Sequence, residues 1–377
     1  MLYEIHMIKN YPPVNLNRDD TGSPKTCYFG GVQRGRISSQ CLKRSWRISP
    51  LYDELLGSKG IRTRKLGDLL RAELERRGCE PDFIEEAVKI ALKFGKSDDS
   101  RKKEEDKSSD KGKESTKQTF LYSPDDIKAI ADKMVEMYKK IGSVKAFSKL
   151  KSSEIESSFD DVQTRGITLD IALFGRMVTS KAFKAVEASM QVAHAISTHA
   201  VNQESDFFTA VDDLLENADE TGAGMIGDID YNSCCFYHYA AIDTDILFHN
   251  LETVPDRDRI MKELLPAIIQ IMAFTNPSGK QNTFAGHILP SLICVEVKHR
   301  KIPVSYANAY AKPVNSRSRD LVGESCRKLT GEIDKLDKAY AIPSERLWFC
   351  TEEEASPERA VVCDSLEQLC EKCKAVM

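Results

Sequence analysis

The chain has 377 residues, of which 41% are hydrophobic and 30% charged, enough for a sizeable core in one large domain or a few smaller ones. It contains no apolar run long enough to span a membrane, and Met1–Asn10 lacks the basic and apolar segments of a secretory signal. Its 11 cysteines are therefore expected to be reduced thiols of a cytoplasmic protein rather than a disulfide framework.

The formal net charge of −4 argues by itself against a nucleic-acid-binding protein, but the charge is unevenly distributed. Residues 18–47 carry seven basic side chains against Asp19 and Asp20, so the remainder of the chain is distinctly acidic. An acidic body with one basic segment would hold a polyanion on one surface and repel it elsewhere. Basic residues scattered over a solvated surface are the alternative.

In chain order, the alternation of apolar and polar residues over Leu2–Ile8 predicts a strand. The Pro-, Asn-, Asp- and Gly-rich residues 10–31 predict a long ordered loop. A helix is expected to come next, with Ser38 as its N-cap. Residues 60–150 have apolar stripes at helical spacing, interrupted by a charged stretch at 96–117 that predicts a disordered loop.

Apolar residues at helical spacing predict another helix over 181–199. An aromatic-rich stretch, "DIDYNSCCFYHYAAID", predicts one strand or a pair of strands. A helix at 258–275, a strand at 288–298, a helix around Val322–Leu336 and a last helix after Ser365 complete the chain. Strands at both ends of a helical insertion predict an α+β domain with inserted lobes.

The basic helix after Ser38 has the strongest local signal for function. Its residues Gln40, Lys43, Arg44 and Arg47 are spaced to share one helical face. The helix N-terminus offers free amides to a phosphate, and two residues of the preceding loop could flank it, Arg18 and Lys25. Such a surface would contact the nucleic-acid backbone rather than the bases. A solvated basic face fits the same pattern.

Several other motifs do not predict chemistry. Gly222, Gly224 and Gly227 match the dinucleotide-binding pattern, but a strand comes after them where that fold needs a helix. Asp19 and Asp20 could bind a divalent metal for RNA cleavage, yet nothing nearby supplies further ligands. Salt bridges to nearby arginines, or caps on loop amides, explain them better. No catalytic residue and no cofactor is predicted.

The cysteine and histidine spacings do not indicate a metal site either. Cys370 and Cys373 form a CxxC on an amphipathic helix without a matching second pair, so they are interpreted as core thiols. His194 and His199 are five residues apart, the wrong spacing for one helical face, and are interpreted as structural. The adjacent Phe207 and Phe208 could stack on bases, although such pairs are more often core residues.

Five segments together resemble the CasC family, the repeated backbone subunit of the type I-E CRISPR Cascade complex. They are "NLNRDDTGSPKTCYFGGVQRGRISSQCLKRSWR", "QVAHAISTHAVNQESDFFTAVDDL", "FYHYAAID", "PSGKQNTFA" and "PVSYANAYAKPV". The resemblance covers residues 6 to about 315, whereas 96–117 resembles an insertion and the C-terminal region matches poorly.

The resemblance implies a hand-shaped protein with an RRM-like (ferredoxin-like) palm, a helical fingers lobe and a hairpin-like thumb. The expected boundaries are 1–59 for the N-terminal palm, 60–180 for the fingers, 181–196 for a palm helix, 197–227 for the thumb and 228–377 for the C-terminal palm. Copies of such a protein are expected to assemble along a CRISPR guide RNA, with other Cascade subunits, and to hold the guide for pairing with a target DNA strand.

The resemblance also assigns residues to the RNA surface. Those on the first helix and its loop are Lys25, Ser38, Gln40, Lys43 and Arg47, with Arg18 and Arg44 fitting the same surface. Met177, Phe208 and Thr209 correspond to positions around a nucleotide displaced by the thumb. Lys280 and Gln281 lie in a glycine-flanked loop that could add a backbone contact.

The function predicted is a non-catalytic subunit that forms a helical filament on guide RNA for antiviral defence. Two alternatives stay open. In the related type III backbone class a loop aspartate cuts RNA with a metal ion, and Asp19, Asp20, Asp212 or Asp213 could serve here. A general RNA-binding protein without CRISPR partners is the other.

Overall fold

The computed structural model describes residues 1–57, 59–94, 119–210, 225–353 and 355–375. The strands are β1 Leu2–Val14, β2 Thr26–Phe29, β3 Val32–Ile37, β4 Ile61–Thr63, β5 Phe120–Tyr122, β6 Met190–Val192, β7 Ala195–Ser197, β8 Glu204–Ala210, β9 Met225–Asp243, β10 Leu292–Lys298, β11 Glu345–Cys350 and β12 Ala360–Val362. The helices are α1 Ser39–Ile48, α2 Pro50–Leu56, α3 Leu66–Arg76, α4 Pro81–Ala91, α5 Pro124–Ile141, α6 Val144–Phe147, α7 Ser152–Ser157, α8 Leu169–Phe174, α9 Thr244–Asn250, α10 Arg257–Phe274, α11 Gln281–Phe284, α12 Leu321–Tyr340 and α13 Leu366–Ala375.

Some residues singled out in the sequence fall outside the described ranges. The charged segment 96–117 lies in one gap, and Asp212, Asp213, Gly222 and Gly224 lie in another. The predictions made for them stay predictions.

The described chain forms two compact units. The first contains Met1–Leu56, Met190–Thr244 and Arg259–Met377, and the second contains Gly57–Ser189 and Asp245–Asp258. The predicted fingers, 60–180, fall within the second unit. The boundaries predicted for palm, fingers and thumb stay predictions.

The first unit is built on a ten-stranded sheet whose main path runs β12-β11-β10-β1-β9-β7-β3-β2, with β6 and β8 also paired to β9. Neighbouring strands are antiparallel except β11 and β12. The predicted strand at Leu2–Ile8 is confirmed, and it extends to Val14. Its polar residues Glu4 and His6 are as buried as its apolar ones, because the strand lies in the middle of the sheet.

One face of this sheet carries the main apolar core of the first unit. Ile8, Tyr237 and Cys294, from the three central strands, pack with Leu329 of α12 and with Tyr310 of a 3-10 helix at Tyr306–Tyr310. The predicted helix around Val322–Leu336 and the predicted strand at 288–298 are confirmed as α12 and β10. The pattern of apolar residues thus identified the elements that form this core.

Charged side chains are buried within the same face. Lys298 contacts the carboxylate of Glu4 and lies 2.9 Å from that of Glu296. Arg346 donates to Glu296 from 2.7 Å and reaches Asp337 at 2.8 Å. Burial alone would raise the pKa of Glu296, but His6, Arg346 and Lys298 together hold it at about 2. Each buried carboxylate therefore has a cationic partner, as the cost of burying a charge requires.

Two buried histidines make the stability of the fold sensitive to acid. Burial lowers the pKa of both His6 and His238 to about 3, compared with 6.5 for the exposed ring. Below about pH 6.5 the unfolded chain therefore binds protons that the native chain does not, and stability falls with pH by up to about 1.4 kcal/mol per pH unit for each ring.

His238→Phe removes one of the two rings. We therefore expect it to reduce the slope of the unfolding free energy against pH by the amount that corresponds to about one bound proton. The free energy of unfolding in urea, compared between about pH 7 and pH 5, measures it. His249→Gln is the matched control, since His249 is exposed. A pH dependence unchanged by His238→Phe would contradict the explanation.

The second unit has a helical core of its own. Leu70 of α3, Phe83 of α4, Ile130 and Met134 of α5, and Phe147 of α6 are all fully or almost fully buried there. The helical prediction for 60–150 is thus confirmed for α3 to α6, whereas Ile61–Thr63 and Phe120–Tyr122 pair as the strands β4 and β5. Asp126 and Arg176 form a buried ion pair, in which Nη1 of Arg176 lies 2.5 Å from the carboxylate. This pair connects the first turn of α5 to the residues that follow α8.

The helix predicted over 181–199, including the palm helix at 181–196, is wrong. Met190–Val192 and Ala195–Ser197 are instead the short strands β6 and β7, both paired to β9. Phe183, nearer the start of the same segment, packs into the core of the second unit. The helical spacing arose because one short segment supplies buried residues to two different cores, and pairing to a sheet overrode local preference.

The mixed α+β class is confirmed, whereas the RRM-like (ferredoxin-like) detail stays a prediction. Within the described ranges, no helix is both long enough and apolar enough to cross a membrane. Cys370 and Cys373 are buried with relative exposures of 7% and 0%, which confirms them as core thiols. His199 is also structural, since its Nε2 accepts a hydrogen bond from the amide of Cys235 at 3.3 Å.

Candidate nucleic-acid interface

Helix α1 begins as the sequence predicts. The amide of Cys41 donates to the hydroxyl of Ser38 at 3.3 Å, which confirms Ser38 as the N-cap. The amide of Ser38 in turn donates to the side-chain carbonyl of Asn17 at 2.8 Å. Ser38 is 6% exposed, so its side chain serves the helix and fixes the helix start against the preceding loop.

The basic face of α1 is only partly open to solvent. Gln40 and Arg44 are exposed and Lys43 is half-buried, with its pKa lowered by that burial. The expectation that Arg47 shares this open face is wrong, because Arg47 is 8% exposed. The helix ends one residue later, at Ile48, and runs directly into α2, which contacts it. Helical spacing predicts the direction of a side chain but not which neighbouring segment covers the end of the helix.

The loop between β1 and β2 is held in shape by Asp19. Its carboxylate accepts hydrogen bonds from the amides of Thr21 and Ser23, both at 3.0 Å, and from the Thr21 hydroxyl at 2.8 Å. These bonds, that of the Thr21 side chain first, lower the pKa of Asp19. The prediction that the loop acids cap loop amides is confirmed for Asp19. Arg18 is left exposed beside it.

A second loop, residues 277–286, packs against the first. A Cβ on Gly279 would lie 2.3 Å from the carbonyl oxygen of Leu16, so only glycine allows this approach. Lys280 and Ala285, at the two ends of α11, both have left-handed backbone conformations, with φ of 52° and 48°. Gln281 donates its amide to the Pro277 carbonyl at 2.9 Å and so braces its own loop, while Lys280 stays half-exposed.

The two loops and α1 line an open cleft with a volume of about 590 Å³. Both Arg18 and Arg44 line it, so an exposed cation from the loop and one from the helix face the same space. The lining residues are Leu16, Asn17, Arg18, Asp19, Asp20, Thr21, Gly22, Cys41, Arg44, Ser45, Ile48, Ser278 and Gly279. The cleft brings together three segments that are separate in the sequence.

Strands β8 and β9 form an antiparallel pair over Glu204–Ala210 and Met225–Tyr231, which lies partly inside the predicted thumb, 197–227, and extends beyond it to Tyr231. Phe208 is half-buried because its ring lies over Gly227, where a Cβ would be 2.7 Å away. Phe207 is 64% exposed, so the interpretation of both phenylalanines as core is wrong for Phe207. Adjacent residues of a strand point to opposite faces of the sheet, so Phe208 packs on Gly227 while Phe207 points away from it. Thr209 is exposed on the same strand.

The base of this hairpin is tied to the β1–β2 loop by Asp230. Its carboxylate accepts hydrogen bonds from the hydroxyl of Ser23 at 2.6 Å and the side-chain amide of Gln203 at 2.7 Å, and also from Ser205. The side-chain amide of Asn15 donates to the backbone carbonyl of Asp230 at 2.7 Å. These bonds fix the hairpin base beside the loop that carries Arg18.

Comparison with known proteins agrees with this arrangement. A family model described as "CT1975-like protein" matches residues 3–372 of the chain. The chain therefore belongs to the CT1975-like protein family. The match continues well beyond residue 315, where the sequence motifs gave little similarity.

Two solved structures resemble this CT1975-like chain over its full length. A chain from a "CRISPR RNA-guided surveillance complex, pre-nicking" is 26% identical, covers 100% of both chains and has a TM-score of 0.84. A chain from a "CRISPR RNA-guided surveillance complex" is 22% identical, also covers 100% of both chains and has a TM-score of 0.61, a likeness in fold. No curated protein matches the chain.

The predicted site residues of this CT1975-like protein belong to two compact units. Arg18, Lys25, Ser38 and the residues of α1 lie in the first unit, together with Lys280, Gln281 and the hairpin. Met177 belongs to the second unit, where its side chain is 93% exposed. In the described part of the chain, no three His, Cys, Asp or Glu side chains come together as a possible metal site.

Sequence reasoning missed Asp230 and misjudged the role of one arginine. Asp230 is one of several acids in a polar stretch, and no local motif distinguishes it. Arg34, counted among the basic residues of the segment, is fully buried and donates to the carbonyls of Ser197 at 2.9 Å and Tyr310 at 2.7 Å. Only the pairing of distant strands reveals either role.

Proposed function

We propose that this protein is a non-catalytic backbone subunit of a type I-E CRISPR surveillance complex. It would act in the cytoplasm, polymerise along guide RNA, bind the sugar-phosphate backbone and present the bases to a target DNA strand. The observation that carries the proposal is the full-length likeness to a chain of a CRISPR RNA-guided surveillance complex, at a TM-score of 0.84 and 26% identity.

The cleft supports binding to the phosphate backbone. Arg18 and Arg44 are exposed cations that line it, one on the loop and one on α1, while Asn17, the amide side chain in its lining, accepts a hydrogen bond from the backbone of Ser38. A subunit that carries any guide must leave base edges free to pair. Two exposed cations and an engaged amide meet that requirement, in a cleft that Asp19 and Asp20 also line.

The hairpin of β8 and β9 supports assembly with other copies and with other subunits. Phe207, Met225 and Ile226 are 64%, 59% and 64% exposed on its two strands. Phe207 and Ile226 lie on one face of the strand pair and Met225 on the other, so both faces offer an apolar contact to a partner. Contacts from one copy to the next that do not close produce a helical filament, which is the geometry needed along an extended RNA.

The alternative is a metal-dependent, RNA-cleaving subunit of the type III class. Of its candidate acids, Asp19 already accepts three hydrogen bonds from its own loop at one carboxylate oxygen. A divalent ion needs several ligands around it, and in the described part of the chain no three His, Cys, Asp or Glu side chains come together. The alternative therefore has less support, and Mg²⁺-dependent cleavage of bound RNA that is lost in Asp19→Asn would favour it instead.

The test is to co-express the full chain with the other Cascade subunits and a CRISPR array, purify the assembly through this chain, and sequence any bound RNA. We expect uniform guide RNA with several copies of the chain per RNA. Recovery of a folded, RNA-free monomer in the presence of its partners would refute the proposal. Recovery of unrelated cellular RNA without other subunits would indicate a general RNA-binding protein.

A further inference from the structure

A second group of basic side chains lies outside the cleft, on β3 and beside β2 and β7. Nη1 of Arg36 lies 3.0 Å from Nδ1 of His194, and Nε of Arg36 donates to the Thr26 carbonyl at 3.2 Å. The amide of Arg36 donates to the carbonyl of Lys25 at 2.9 Å, which makes these two residues neighbours. His194 is exposed, and Lys25 and Arg36 are half-buried.

The contact between Arg36 and His194 determines the state of the imidazole ring. An arginine has no acceptor, so Nδ1 must accept the hydrogen bond and the ring must be neutral, with its proton on Nε2. Partial burial, together with the charges of Arg36 and Lys25, lowers the pKa of His194. In the described part of the chain neither Lys25 nor Arg36 forms an ion pair with a carboxylate, so the charged groups that face the ring from β3 and from the start of β2 are both positive.

We propose that Lys25, Arg36 and His194 form a subsite that binds one phosphodiester of the guide RNA, with uptake of one proton by His194. Protonation at Nδ1 breaks the bond from Arg36 and turns both groups into donors that need an acceptor. A phosphate oxygen between them accepts from both, in the charge-assisted bonds that suit this anion. The proton comes from solvent, and no covalent bond other than N–H is made.

The subsite continues the surface formed by the cleft. The amide of Lys25 donates to the carbonyl of Asn17 at 2.8 Å, and the side chain of Asn17 holds the start of α1. Lys25 is also close enough to Cys41, which lines the cleft, to affect its thiol electrostatically. Lys25 therefore lies on the same loop as Arg18 and close to the helix that carries Arg44. For this reason the guide, rather than the target strand, is assigned as the source of the phosphate.

The test measures binding of the full chain to single-stranded RNA at constant ionic strength, between about pH 8 and pH 6. Binding raises the pKa of the ring, so affinity must increase as the pH falls, by up to about tenfold per pH unit. We expect His194→Gln to lose this pH dependence and to bind more weakly than the wild type near pH 6. Arg36→Gln should bind more weakly throughout, with its salt dependence reduced by about 0.7 in the slope of log K against log salt.

His299→Gln is the matched control, because His299 is an exposed histidine that faces Glu345 instead of cations. Proton uptake is measured separately by calorimetry in buffers of different ionisation enthalpy, first with RNA and then with complementary DNA. A pH dependence retained in His194→Gln overturns this inference and leaves the proposed function intact. Uptake that begins only with DNA overturns the assignment to the guide. The inference rests on the proposed function, so a chain that binds no RNA at any pH overturns both.

Discussion

Replacing Arg18 and Arg44 together by alanine is expected to weaken binding of single-stranded RNA to the same degree for every sequence. Both side chains are exposed and line the same cleft, so they would contact phosphates without touching base edges. For single strands each lost phosphate contact lowers the salt slope by about 0.7, so the double variant should lose about 1.4. Equilibrium binding over a series of salt concentrations, with RNAs of several compositions, measures both effects.

The matched control removes the same charge elsewhere in the first unit. Lys338→Ala with Arg359→Ala also removes two exposed cations, neither of which lines the cleft. We expect its affinity and salt slope to stay close to those of the wild type. Equal losses in the two double variants would mean that net charge alone attracts RNA. A loss for some sequences and not others would place bases, instead of phosphates, at the cleft.

Replacing Lys298 by methionine is expected to destabilise the protein by about 3–5 kcal/mol, because it leaves the buried carboxylate of Glu4 without its cation and Glu296 with Arg346 alone. Lys298 has a side-chain exposure of 2% and contacts Glu4 and Glu296, which are fully buried. Methionine has a similar length and adds no charge, so the change isolates the lost pairing. Urea unfolding near pH 7 gives the free energy of unfolding without any assay of RNA binding.

Lys301→Met is the control for this substitution. Lys301 pairs with Asp243 at 2.7 Å, but the two side chains are 35% and 23% exposed, so its loss should cost no more than about 1 kcal/mol. Adding Glu4→Gln to Lys298→Met should recover part of the loss, since one uncompensated carboxylate is removed. If Lys298→Met were as stable as Lys301→Met, the buried network would not be a source of stability.

Much of the candidate interface could be predicted because its signals are local. The cap at Ser38, the helix that begins after it and the exposure of Gln40 and Arg44 depend on residues within one or two turns. The charge of residues 18–47 was likewise visible in the sequence. The error at Arg47 had a different origin, since its burial depends on how the end of the helix packs and not on helical spacing.

The sequence by itself determined the type of the longest elements, because hydrophobic period and capping act over a few residues. It identified β9, β10, α1 and α12, and it indicated one basic surface on an acidic chain. It failed at 181–199, where helical spacing belonged to a segment that pairs with β9 instead.

Only the tertiary structure decided which side chains meet. Asp230 joins Ser23 across 207 positions of sequence, and Arg36 meets His194 across 158. Gly279 brings the loop of Lys280 onto Leu16. Such contacts depend on strand pairing and on close packing between distant segments, which no local pattern records. The sequence therefore predicted the residue types of the interface. It did not predict the cleft or the proposed phosphate subsite.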